Sequence, residues 1–475
     1  MNQIALKAGY VPLSQVTEGQ PFPAGTGGCD MFRIPGLITL DNGYLFATSD
    51  ARWNDADSDY GGIDTIYALS EDNGETWRHG YAVYFPDSLG TPPNPENVTT
   101  CIDSTPMQTP DGAIHIFVNI NPSGITTALN WPGSGTGFFT VGGRKRLAVT
   151  DSFEKSGFNP CKHPEYYPYY IGDFENGFAP IESVNGEKTV YIIDEFFNIY
   201  KSAENGPEHL WQKQEESEEN IVQNLFYRRS AFHVFSTMYT FHLVSTDIAK
   251  TWHGSIISDQ IKSEDESGLI AAPGSGLVTK DGLCVLPFYT LEENRPFENS
   301  KSRLAFSYDK GKTWQITAPL NVSKEIPWSG ESKPVLLPKG NIRLFFRTDT
   351  KRICYADYDM KSQKWLEPVK TDIVIHSDCN FGAINCGSRI LLTCPCGINE
   401  DAADRFNGKL FCFDLDKNCN LILKDKVAID ENIFSYSVLT ETADGKIGVL
   451  YDTCEEGYVY FKKIDIKNIR NSLKG

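Results

Sequence analysis

The chain has 475 residues, 40% apolar and 22% charged, with a formal net charge of −18 and a pI near 5.0. That balance, with Lys and Arg scattered rather than massed in one run, excludes a nucleic acid or an anionic membrane face as partner. No window reaches the ~18 apolar residues that a membrane span needs. An anionic small ligand is not excluded, because charges beyond ~8–10 Å are screened and a local cationic pocket decides.

The opening MNQIALKAGYVPLSQ lacks the apolar stretch of a secretory leader. The chain is therefore expected either not to take that route or to begin after a removed leader. Twelve cysteines include eight from position 354 to position 454, none at zinc-ribbon spacing. Cys394-Pro395-Cys396 has no second pair at a suitable distance. No metal and no cofactor is expected. Free, mostly buried thiols in a reducing compartment are the preferred reading, with disulfides left open by the even count.

Along the chain, Phe32-Arg33-Ile34-Pro35 comes first. A strand over residues 44–49 (YLFATS) then runs into Asp50-Ala51-Arg52. Residues 70–77 (SEDNGETW) follow. Further strands are predicted at 114–118 (IHIFV) and 189–193 (TVYII), and the polar run 212–220 (QKQEESEEN) reads as an exposed loop. Residues 245–252 (STDIAKTW) repeat the earlier octapeptide with Ala249 in place of glycine, and 307–314 (SYDKGKTW) repeat it cleanly. A degraded copy pairs Asp357 and Asp359 with Trp365. Between Asp72 and Asp247 there is room for repeats whose octapeptides have eroded. Residues 273–276 (PGSG) could pass for a phosphate loop, but strand residues follow rather than a helix, so a turn is the reading. The remaining strands are 283–289, 342–347, 390–393 and 447–451. With 40 Gly and 26 Pro, the chain reads as many short strands joined by tight turns.

The octapeptide S-x-D-x-G-x-T-W is a fastened hairpin. Ser and Asp bond local backbone, glycine supplies a positive φ, and tryptophan anchors the turn. It resembles the Asp box that joins the outer two strands of a blade in sialidases. The order F-R-I-P, then D-A-R some twenty residues later, then repeated boxes, resembles bacterial and protozoan exo-sialidases over nearly the whole chain. The resemblance implies an all-β, six-bladed β-propeller, one catalytic domain over 1–475 with loop insertions and no separate carbohydrate-binding module. It implies a retaining exo-sialidase acting on sialylated glycans, glycoproteins or glycolipids. The alternatives are a trans-sialidase or intramolecular trans-sialidase on the same scaffold, and a binding propeller without catalysis.

Residue by residue, the resemblance makes Arg33, Arg347 and Arg405 the clamp on the sugar carboxylate. Arginine suits this task because its planar guanidinium meets a carboxylate through two parallel bonds and keeps its proton. Tyr436, in Phe434-Ser435-Tyr436-Ser437, takes the position of the nucleophile. A phenol avoids the like-charge repulsion that Asp or Glu would meet at an anomeric carbon bearing a carboxylate. It needs a base, since its reference pKa is ~10. Glu331, 16 positions before Arg347, is the candidate. The general acid belongs in the loop after Arg52. Counting back from Asp64 selects Asp59, whereas counting forward lands on Ser58, and Asp57 is the alternative. Arg52 and Asp103 are expected at the sugar's 4-hydroxyl. Asp452 is expected to brace Arg33, and Asp50 to be structural.

Overall fold

The computed structural model describes residues 6–53, 59, 61–86, 98–125, 132–213, 220–291 and 299–465. Antiparallel meanders follow one another along it. The first runs through Phe32–Thr39, Leu45–Trp53, Gly62–Ser70 and Thr76–Tyr84, with Gly9–Glu18 added at its outer edge. The pattern recurs in Cys284–Leu291, Ser302–Ser307 and Gln315–Ile316. It recurs again in Ser332–Leu336, Ile342–Phe346, Arg352–Asp359 and Lys364–Trp365. Gly382–Cys386, Arg389–Pro395, Phe406–Leu415 and Leu421–Ile433 repeat it once more. Ser437–Glu441, Ile447–Asp452 and Val459–Ile464 end the series. This is a propeller-like, all-β arrangement. Helix among the described residues is limited to Ser258–Ile261 and single 3-10 turns, too short to cross a membrane.

The strands read as apolar runs more than as alternating ones, and burial explains why. Every residue of Gly62–Ser70, Ile114–Asn121 and Cys284–Leu291 is buried. A strand covered on both faces has no solvated side to mark with polar residues.

The stretch between Asp72 and Asp247 is built differently from the expectation of eroded repeats. Thr100–Gln108 pairs with Ile114–Asn121, which pairs directly with Tyr239–Ser245 and then His253–Ile256. Most of the residues between Asn121 and Tyr239 are therefore an insertion within one meander. They carry a sheet of their own, in which Arg144–Thr150, Tyr169–Ile171, Phe178–Ser183, Lys188–Asp194 and Ile199–Lys201 are successive neighbours. The polar run 212–220 lies at a hairpin of Trp211–Lys213 with Asn220–Val222, and positions 214–219 fall outside the described residues.

Each octapeptide joins the outer two strands of its meander. In the first, Ser70 Oγ donates to Asp72 Oδ1 at 2.8 Å and accepts from the Gly74 amide at 2.8 Å, while Thr76 donates to Asp72 through both its amide (2.9 Å) and its hydroxyl (2.6 Å). Trp77 Nε1 closes the turn on Gly74 O at 3.2 Å. The copies at Asp247 and Asp309 repeat the bonds of the serine and threonine, and Trp314 Nε1 repeats the closure on Gly311 O at 3.1 Å. Burial acts against ionisation of both carboxyls, but the bonds from Thr251 and Thr313 win and hold each down at about 2. Ala249 takes the positive φ of 60° that glycine supplies elsewhere, so the fastened turn tolerates a methyl there.

Trp77 also ties the first meander to the last. It is fully buried and meets Phe461 edge to face at 5.3 Å, close to where the Phe32 amide donates to Gly457 O at 2.9 Å. Trp77→Ala is expected to destabilise the protein by about 3–5 kcal/mol through the cavity it leaves. A lowered denaturation midpoint, with turnover per folded molecule unchanged, is the result to look for.

Candidate active site

Two irregular strand segments bring the first residues inward. Between Arg33 and Gly36 the register against Leu45–Trp53 shifts, and Ile34 adopts φ 58°. Between Ile102 and Thr105 a second shift leaves Asp103 at φ 65°. Such bulges re-aim a side chain at the cost of backbone strain, and that strain must be held by surrounding bonds. The bonds are present. Asp452, with no solvent exposure, accepts from the Ile34 amide (3.0 Å), the Tyr436 amide (3.3 Å) and the Cys454 amide (3.1 Å), and lies 3.4 Å from Arg33 Nε. Asp50 accepts from the Asp103 amide at 3.2 Å and from Arg52 Nη2 at 3.3 Å. Burial pushes the Asp50 carboxyl up to about 7, against the pull of Arg52.

The separation of Glu331 from Arg347 is a hairpin register. Ser332 pairs with Phe346, and one step outward the Arg347 amide donates to Glu331 O at 2.7 Å. The two side chains then meet across the end of the ladder, with Arg347 Nη1 to Glu331 Oε2 at 3.2 Å. Asp378 holds the other side of the guanidinium at 2.8 Å.

Tyr436 stands at the start of Ser437–Glu441 and is 7% exposed. Its hydroxyl donates to Glu331 Oε1 at 2.6 Å and accepts from Arg347 Nη1 at 2.6 Å. Burial drives the phenol pKa well above its usual value. Glu331 acts in the same direction, and Arg347 and Arg405 oppose it. The resting group is a neutral phenol bonded to a carboxylate. The guanidinium carbons of Arg33, Arg347 and Arg405 lie 5.6, 5.9 and 5.5 Å from the Tyr436 ring centre. Arg405 is steadied by Ser435 Oγ at 3.3 Å and Asp378 O at 3.4 Å.

These groups wall a cavity of about 220 Å³ together with Ile34, Asp59, Ile102, Asp103, Ile270, Tyr289 and Cys454. Asp59 is half exposed at its mouth, 2.8 Å from Arg52 Nη1. Asp57 and Asp55 lie outside the described residues. Arg52 does not line the cavity. Its side chain is fully buried behind Asp59, between that carboxylate and Asp50. Asp103 does line it, and its carboxyl is raised well above the usual range by burial first and then by the charges of Asp50, Glu331 and Asp59. Burial and like charge thus both raise the proton affinity of Asp103.

Sequence reasoning missed Tyr289, whose hydroxyl donates to Asp103 Oδ2 at 3.4 Å, as well as Asp378 and Cys454. Tyr289 sits in the predicted strand 283–289, but its direction is set by its partner 186 positions away. A larger hollow of about 590 Å³ lies at the opposite ends of the same inner strands and gathers no such charge cluster. Among the described residues no group of three or more His, Cys, Asp or Glu is placed to hold a metal. All twelve cysteines are free thiols, nine of them buried.

Residues 217–449 match the family described as BNR repeat-like domain. The anhydrosialidase of Macrobdella decora is 25% identical over 472 residues, covering 89% of this chain and 58% of the relative. Sialidase B of Streptococcus pneumoniae is 24% identical over 341 residues, covering 67% and 45%. The chain thus spans about half the length of the curated relatives it matches. The intramolecular trans-sialidase from Ruminococcus gnavus superposes with a TM-score of 0.80 at 23% identity, over 94% of this chain and 98% of that one. Repeats, relatives and fold agree: residues 217–449 carry a BNR repeat-like domain, and the chain resembles the sialidases.

Proposed function

We propose that the protein releases terminal sialic acid from glycoconjugates with retention, through a covalent sialyl-tyrosine. The observation that carries this reading is the buried Tyr436 hydroxyl, bonded at 2.6 Å to both Glu331 and Arg347 and ringed by three guanidinia. Three cations around one small hollow suit a carboxylate, and a sugar bearing that carboxylate at its anomeric carbon sits over the phenol. As Tyr436 Oη attacks the anomeric carbon, its proton passes to Glu331 Oε1 and the bond to the leaving oxygen breaks. Asp59, at the open side, gives that oxygen a proton and then takes one from the incoming water. The water oxygen bonds to the anomeric carbon, Tyr436 leaves, and Glu331 returns the phenol proton. Asp103, lining the same cavity, hydrogen-bonds the 4-hydroxyl of the sugar.

A second reading is intramolecular transfer, in which a hydroxyl of the same sugar replaces water and an anhydro sugar leaves. It is favoured by the relatives named above, one an anhydrosialidase and one an intramolecular trans-sialidase. Proton NMR of sialyllactose turnover tests both. Hydrolysis with retention gives the α anomer of free sialic acid first. Intramolecular transfer gives a product one water lighter. A β anomer appearing first would overturn the covalent route.

A further inference from the structure

The PGSG segment that could pass for a phosphate loop is a junction between inner strands. Pro273 O accepts from Lys333 Nζ and from Asn380 Nδ2, the latter at 3.2 Å. The Gly274 amide donates to Ser104 O at 3.3 Å, and Gly274 O accepts from the Leu37 amide at 3.1 Å. Thr105 Oγ1 donates to Ala272 O at 2.7 Å. One turn thus ties Phe32–Thr39, Thr100–Gln108, Ser332–Leu336 and the approach to Gly382–Cys386. Gly274 has φ 128°, and a Cβ there would meet Lys333 Cε and Nζ at 2.7 Å, so only glycine lets the ammonium come this close.

Lys333 is 1% exposed and stands two positions after Glu331, in the strand that follows it. A buried ammonium is costly unless opposite charge faces it. Two carboxylates do: Glu331, from the segment leading into its own strand, and Asp103, from Thr100–Gln108. Burial draws the lysine pKa down to about 7, and these two charges resist the fall. Around them stand Arg347 against Glu331, Asp50, Asp59 and Arg52 around Asp103, and Tyr289 beside both carboxylates. The mechanism leaves Lys333 unused, although it is buried two positions from Glu331, the carboxylate that receives the phenol proton.

We propose that Lys333 is a positioning residue of this site: seated on the Pro273–Gly274 turn, its ammonium is the buried counter-charge that keeps Glu331 and Asp103 together beneath Tyr436. The proposal rests on the reading of Glu331 as the base. With two carboxyl groups close together and little water, a proton on Glu331 would block its task, and a cation below disfavours that proton.

The test compares pH profiles of kcat/KM. Lys333→Met keeps the length of the side chain and removes the charge. It is expected to move the acid limb up by about one pH unit and to cost about tenfold on that side, with recovery at higher pH. Asn380→Ala removes the other donor to Pro273 O, keeps the charge, and leaves the limb where it is. An unmoved limb in Lys333→Met, or an equal shift in both variants, overturns the proposal. A second measurement needs no turnover and no Lys333 variant that folds. In enzyme labelled with ¹³C at lysine Cε, Glu331→Gln lowers the Lys333 titration midpoint, because the pairing acts in both directions. A midpoint that stays put also overturns the proposal. A lowered midpoint in a Glu331→Gln protein of full activity would keep the pairing and remove Glu331 as the base.

Discussion

Tyr436→Phe lowers kcat on a fluorogenic sialoside by about three orders of magnitude, or about 4 kcal/mol of barrier at 1.36 kcal/mol per decade, and leaves KM within a few-fold. The split follows from what is removed. The ring stays in its buried seat among the three arginines, so the shape of the cavity survives. What goes is the oxygen that bridges Glu331 and Arg347 at 2.6 Å on either side. Glu331→Gln is expected to cost a comparable amount, and the double variant little more than either alone, since nucleophile and base act as one unit. Steady-state kinetics of the three proteins decides. Wild-type turnover by Tyr436→Phe would remove the covalent route.

Arg347→Met has the second large effect, a fall in kcat/KM of about a thousandfold, carried by kcat and KM together. Arg347 is a junction of charge. It bonds Glu331 at 3.2 Å, Tyr436 at 2.6 Å and Asp378 at 2.8 Å, and belongs to the proposed carboxylate clamp. Removing one partner of a buried pair leaves the other charge exposed to a poor environment, at about 3–5 kcal/mol. Arg347→Lys is expected to recover little, because one ammonium cannot span Glu331 and Asp378 as the planar fork does. Among the described residues Arg405 donates to Ser435 Oγ, Cys454 Sγ and Asp378 O and to no carboxylate. Arg405→Met should therefore raise KM with a smaller change in kcat. Parallel measurement of kcat, KM and calorimetric binding of free sialic acid separates the two arginines.

Parts of this site could be read in the chain because they are local. The octapeptide turns are closed by bonds within eight residues, so their pattern survives whatever surrounds them. Glu331 and Arg347 face each other because one hairpin sets their register, and a hairpin's register is written in its own length. Where partners come from different meanders, reading failed or stopped short. Arg52 was expected at the sugar's 4-hydroxyl, and its guanidinium lies behind Asp59 against Asp50, a carboxylate held in turn by the Asp103 amide of another strand. Tyr289 and Asp378 gave no signal, for each matters only through a neighbour in another strand.

By itself the sequence determined that this chain would be a series of short, covered strands joined by fastened turns, with arginines, a glutamate and a tyrosine set beside them in family order. Only the tertiary structure decided that residues as distant as Asp103 and Tyr289 meet in one site, that bulges at Ile34 and Asp103 turn those strands inward, and that a lateral sheet rather than further repeats fills the stretch before Tyr239. The physical reason is range. Turn and strand preferences are settled by neighbours in the chain, whereas strained backbone and buried charge persist only where distant segments supply the opposing bonds.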